Sequence, residues 1–206
     1  MILMLFEKGG VVMWPLFIVA IIASYLIVYK LISILQFTVR YRKQQHIEQV
    51  HLLLKKGSFD DSRALITQDG PKEYILKKGI DCLQDGVDLP TMKDQLEMIY
   101  DDQVHRLESG LSIILILGEI MPMLGLLGTV SGMINVFKAI TTYGTGNAQA
   151  LAGGISEALL TTEVGLVLAI PTMFCYTFLQ SKVDDLAKIM RHAGFSVTTV
   201  LKAKND

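Results

Sequence analysis

"GGISEALLTTEVGL", residues Gly153 to Leu166, lies inside an apolar stretch that runs from Ala148 to Leu179. That stretch exceeds the roughly 20 residues a helix needs to cross a hydrocarbon core of about 30 Å. Within it stand two carboxylates, Glu157 and Glu163, and the adjacent Thr161 and Thr162. A charge at the centre of a membrane helix costs about 2.5–3.5 kcal/mol on insertion scales. Groups this costly point to a helix with one side turned away from lipid.

Two more stretches of the same kind precede it. Val11–Phe37 is interrupted only by Lys30, and Gly110–Phe137 only by Glu119. The 206 residues carry a net charge of −1 and are 51% hydrophobic, with a mean hydropathy of +0.43. Charged residues crowd into Arg40–Glu108 and Lys182–Asp206, which rules out a single soluble core. Three membrane helices follow. The first is read as retained, because its apolar run is longer than a signal-peptide core and lacks a basic leading region.

Lys and Arg set the orientation. Outside the segments from Lys30 to Arg106 and after Lys182, only Lys8 and Lys138 are basic. The positive-inside rule puts those segments in the cytoplasm and the N-terminus outside. The expected division is a short outer N-terminus (1–10), a first span (11–37) and a cytoplasmic helical region (38–109). A second span (110–140), an outer loop (141–147), a third span (148–180) and a cytoplasmic C-terminal helix (181–206) complete it. Between Arg40 and Glu108, Ile47, Val50, Leu53 and Leu54 mark one amphipathic run. Ser58 can cap a short second helix, a third covers 72–83, and "DGVDLPT" (Asp85–Thr91) starts a fourth. With no breaker before Gly110, one continuous helix is predicted from Thr91 to Ile140; the alternative is a break at Ser109–Gly110.

On a helical wheel, Gly154, Ala158, Thr161, Thr162, Gly165, Ala169 and Thr172 fall within a sector of about 100°. Glu157 borders one side of this stripe, Thr162 the other, and Glu163 points away. The second span repeats the pattern with Gly118, Pro122, Gly125, Thr129, Gly132 and Val136, Thr129 being central. Small residues let membrane helices approach closely, so Gly125, Gly128, Gly132, Gly154, Ala158 and Gly165 are candidate packing positions. A hairpin turning near Gly144 puts Thr129 and Thr162 at similar depth. A threonine in a membrane helix commonly bonds back to its own backbone, but two at matched depth on small-residue faces suggest an ion path. Glu157 is the leading carboxylate for that path; Glu119, Glu163 and Thr161 are candidates for a secondary ion or interface role. The first span has large aliphatic residues all round and reads as a lipid-facing anchor.

No span contains His or Asp, and Ser131 has no base at membrane depth. The polar regions hold no phosphate loop, dinucleotide fingerprint or HExxH. The chain therefore reads as no enzyme, with no metal, cofactor or nucleic-acid partner. Hydroxyls do not change charge near neutral pH, so the threonines and one carboxylate form an incomplete proton path. A second protein supplying an Asp would complete it. Cys82 and Cys175 are expected to be reduced.

"GLLGTVSGM" (Gly125–Met133), followed by "GGISEALLTTEVGLVLAIP" (Gly153–Pro171), resembles the MotA/TolQ/ExbB proton-channel family. "EKGGVVMWPL" (Glu7–Leu16) is similar to that family's lead into its first span. Three spans place the resemblance in the ExbB/TolQ branch. It implies an all-α membrane protein with long cytoplasmic helical extensions, assembled as an oligomeric helix bundle, a homopentamer, in a bacterial inner membrane. It also implies a single-span ExbD/TolR-like partner with a membrane Asp, and a TonB/TolA-like energy transducer. Thr129, Glu157 and Thr162 match the family's pore positions, and the transported ion is expected to be H⁺. Tyr29–Lys30 stands where the family often has an acidic-basic pair. The alternatives are a scaffold without an ion path and a Na⁺-driven relative.

Overall fold

A computed structural model describes residues 9–40, 49–50, 52–54, 58–66, 70–144 and 148–205. Among them the secondary structure is helical throughout: α1 (Met13–Arg40), α2 (Phe59–Ala64), α3 (Pro71–Gln84), α4 (Leu89–Glu108), α5 (Leu111–Tyr143) and α6 (Ala148–Asn205). Three helical stretches are long and apolar enough to cross a membrane, within Met13–Ile34, Leu89–Tyr143 and Leu151–Val200. The chain divides into two compact units, one of Met1–Leu31 with Gly110–Leu179, the other of Ile32–Ser109 with Gln180–Asp206.

The apolar unit holds the first part of α1, all of α5 and the first part of α6. Its elements form because nothing stops them: Pro122 and Pro171 are the prolines inside α5 and α6. Each removes one backbone N–H without ending its helix, which neighbouring helices in a membrane tolerate. One face of α1 is packed, with Met13, Leu16, Ala20 and Ala23 buried. Trp14, Ile18, Ile21, Tyr25 and Tyr29 on the remaining faces are exposed. Ala20 and Ala23 close on Met121 of α5 and Ala169 of α6, with Val19, Leu117 and Leu168 around them. The expectation of an anchor covered all round by large residues is thus corrected. Two alanines in "AIIAS" give α1 a small-residue face, which lets its backbone approach the α5–α6 pair.

The helix expected from Thr91 to Ile140 is two helices. Ser109 leaves helical geometry at ψ 126° while its N–H still bonds the His105 carbonyl at 2.9 Å. Gly110 then takes φ +83°, a left-handed conformation that a β-carbon would strain. The third long helix has no such break: α6 runs continuously for 58 residues.

The polar unit is a set of amphipathic helices around Ile75, Leu76, Ile80, Met92, Leu96, Val183, Met190 and Val197. Gly79 of α3 faces Val197 of α6 so closely that a β-carbon there would lie 2.8 Å from a valine methyl. Arg191 of α6 stacks over the Tyr100 ring of α4 at 5.2 Å, a cation–π contact. Residues 49–50 and 52–54 are helical, with Val50 and Leu54 buried and Leu53 half-buried; Ile47 lies outside the described residues. Ser58 precedes α2 as expected, but its side chain makes no capping bond. Its carbonyl instead accepts from Ser62 Oγ at 2.7 Å. Asp88 does cap α4, accepting the Thr91 N–H at 3.2 Å. Hydrogen bonds from Thr91, side chain first and then backbone, hold the Asp88 carboxyl below its ordinary range. Cys82 is a buried free thiol 3.2 Å from Gln95 Oε1, and desolvation leads in pushing its pKa up.

Candidate functional site

α5 and α6 meet along a seam in which backbone faces backbone. A β-carbon on Gly125 would stand 3.1 Å from both the Thr161 carbonyl oxygen and the Thr162 α-carbon. One on Gly132 would stand 2.9 Å from the Gly154 carbonyl oxygen, and one on Gly165 would stand 2.8 Å from that of Met121. At Gly128 it would collide with Thr161, and at Gly154 it would come within 2.5 Å of a Val136 methyl. With Ala158 buried at 3% exposure, the glycines leave no room for side chains of their own between the helices. In lipid, where burying apolar surface drives little association, such close approach supplies dispersion contacts.

The buried line on α5 runs through Gly118, Met121, Gly125, Gly128, Gly132 and Val136. Sequence reading centred this face on Thr129 and included Pro122. Both are instead half-buried at its margin. The seam is centred by Gly128, whose missing side chain accommodates Thr161. On α6 the buried line is Ala158, Thr161, Gly165, Ala169 and Thr172, with Gly154 and Thr162 half-buried beside it.

The three threonines differ in their bonding. Thr129 Oγ1 donates to the Leu126 carbonyl of its own helix at 2.6 Å. Thr161, 1% exposed, donates to the carbonyls of Ala158 at 2.9 Å and Glu157 at 3.1 Å. Of these three only Thr162 reaches across, donating to the Gly125 carbonyl of α5 at 2.9 Å, as Thr172 Oγ1 further along α6 does to Met121 Sδ at 3.9 Å. In an α-helix that same carbonyl accepts the N–H four residues on, which is that of Thr129. One backbone oxygen therefore links the two threonines' positions.

Which edge they occupy follows from helical geometry, at about 100° per residue. Leu117 and Leu168 mark the edge of the pair that packs against α1. Thr129 lies about 120° round α5 from Leu117, and Thr162 about 120° round α6 from Leu168. Both threonines thus lie across the seam from Leu117 and Leu168, beside the exposed Leu126, Leu159 and Leu166, with Ala169 of the α1 cluster about 20° from Thr162 on the same helix. Glu157 lies on the α1 edge instead, with its carboxylate against Gly10. Glu119 and Glu163 are exposed. Glu163 shares a shallow groove of α6 with Ala152, Ile155, Ser156, Leu159 and Leu160. Sequence reading missed Ala20, Ala23 and Gly10; small residues in an otherwise bulky span were the available signal.

Three apolar helices with a glycine-lined seam and threonines at one edge define a membrane protein built by close helix packing. The chain belongs to the MotA/TolQ/ExbB proton channel family, whose model matches residues 67–192. It falls with the family's ExbB/TolQ-like branch, and the family's members are not enzymes. The chain is 28% identical over 182 residues to the biopolymer transport protein exbB1 of Vibrio cholerae, covering 81% of this chain and 74% of that one. It is 27% identical over 207 residues to a biopolymer transport protein ExbB homologue of Methanothermobacter thermautotrophicus, covering 97% and 72%. With the Tol-Pal system protein TolQ of Haemophilus influenzae it shares 28% over 106 residues, 52% and 46% of the two chains.

Proposed function

We propose that this chain is the channel-forming stator subunit of a proton-driven motor in a bacterial inner membrane. Several such chains, five by family resemblance, surround the span of an ExbD/TolR-like partner, and proton flow does work on the envelope through an energy transducer. The observation that carries this reading is the Thr162–Gly125 hydrogen bond between α5 and α6. A hydroxyl held there between two helices can hand a hydrogen bond to water or to a partner's carboxylate. The partner contributes the titratable group that hydroxyls lack. The domain reading that goes with it has the N-terminus and the 141–147 link outside, and 38–109 and 181–206 in the cytoplasm.

Proton flux into liposomes containing the chain and its ExbD/TolR-like partner tests the proposal. Valine replaces threonine at nearly constant volume but removes the hydroxyl. Thr162→Val is expected to cut flux at least about tenfold, the scale of one lost polar interaction of ~1.4 kcal/mol. Thr129→Val, whose hydroxyl bonds its own helix, should cut it less. Wild-type flux in both variants would overturn the assignment, and an assembled complex that conducts nothing would favour a scaffold.

A further inference from the structure

Gly10 precedes α1 with φ +66°, and its carbonyl accepts the Met13 N–H at 3.3 Å. The Glu157 carboxylate of α6 lies directly against it. A β-carbon at Gly10 would collide with Oε1 and stand 2.7 Å from the carboxyl carbon. Two independent constraints therefore meet at this residue: a backbone conformation that favours glycine, and a side chain occupying the space where any other residue would put its own. Glu157 lies within about 20° of Leu168 on the wheel and about 140° from Thr162. Its edge is the one that carries α1. Gly10 also leads into the N-terminus of α1, the positive end of a helix dipole and a favourable neighbourhood for a carboxylate.

We propose that Glu157 is a positioning residue that fixes the outer end of α1 against α6 through Gly10, and that it serves conduction by shape rather than by carrying the ion. Its backbone points the same way. The Glu157 carbonyl accepts from Thr161, the side chain that fills the space beside Gly128. A shift of Glu157 toward or away from α1 therefore reaches the seam that supports Thr162. The contact itself is independent of ion conduction; only its effect on flux rests on the channel reading.

A double-mutant cycle on the purified protein in detergent, read by thermal unfolding, tests the contact. Gly10→Ala should lower the midpoint by at least about 5 °C with Glu157 present, and by less than half as much in the Glu157→Ala background. The strain of alanine at left-handed φ is common to both arms and cancels. Equal shifts would overturn the proposal. If Gly10→Ala does not accumulate as folded protein, Glu157→Ala must restore it, and failure to do so counts against the contact. In the flux assay, Glu157→Gln keeps the shape without the charge and should retain at least about half of wild-type flux, whereas Gly10→Ala loses most of it. Abolished flux in Glu157→Gln with full flux in Gly10→Ala would make Glu157 an ion carrier and overturn the role proposed here. A wild-type complex without flux would refute the channel reading and leave the unfolding cycle to decide the contact.

Discussion

Gly128 leaves an opening on α5 into which the Thr161 side chain fits, 1% exposed and bonded to its own helix. Because Thr161 cannot rotate away without losing those bonds, Gly128→Ala should destabilise the folded chain by about 1–3 kcal/mol, the usual range for overpacking. Gly153, also in a helix but with nothing near its absent β-carbon, is the control. Alanine there should be neutral or stabilising by up to about 1 kcal/mol. Denaturation in detergent compares the two. At this scale the sequence was informative about residue type and less so about direction. The small residues of the seam were all visible, yet Thr129 was read as the centre of a face whose centre is glycine. A wheel weights each position equally, whereas helices in close contact rotate toward the residue that lets them come nearest.

Among the elements, α4 depends most visibly on one capping side chain. Asp88 accepts the Thr91 N–H and has its carboxyl held below the ordinary range by that residue. A depressed folded pKa means the cap stabilises fully above the unfolded value of about 3.9 and is lost as pH falls through the folded one. Asp88→Ala should therefore lower the unfolding midpoint at pH 7, with the difference from wild type shrinking below about pH 4. Element boundaries were legible where a cap or proline stood, as at Asp88 and Pro71. The break at Gly110 was legible only as the alternative to a continuous helix, because Ser-Gly is compatible both with a helix stop and with the glycine-rich interior of a membrane helix. Only the chain's path decides which. The packed face of α1 was missed for a related reason: alanine is apolar in any hydropathy count, and its smallness matters only once a neighbour is present.

For the whole molecule, the uneven placement of charge made three helical crossings and an all-α fold readable without coordinates. The assignment of sides rests on Lys and Arg alone, and it has a direct test. In a chain with Cys82 and Cys175 replaced, cysteines introduced at the exposed Tyr143 and Met98 report opposite sides. A membrane-impermeant maleimide should label Tyr143→Cys in intact cells and Met98→Cys only after permeabilisation; the reverse pattern would invert the topology. Assembly with copies and partner is a property of surfaces that one sequence describes only by composition. The seam between α5 and α6 has a consequence in the genetic code. Every glycine codon begins with two guanines, and each single-base change to another amino acid adds at least a β-carbon. Where that carbon would meet a carbonyl oxygen, as Gly165 would meet Met121 at 2.8 Å, the obstacle is main chain and has no rotamer to change. At these glycines, then, point mutation can widen the seam but never tighten it.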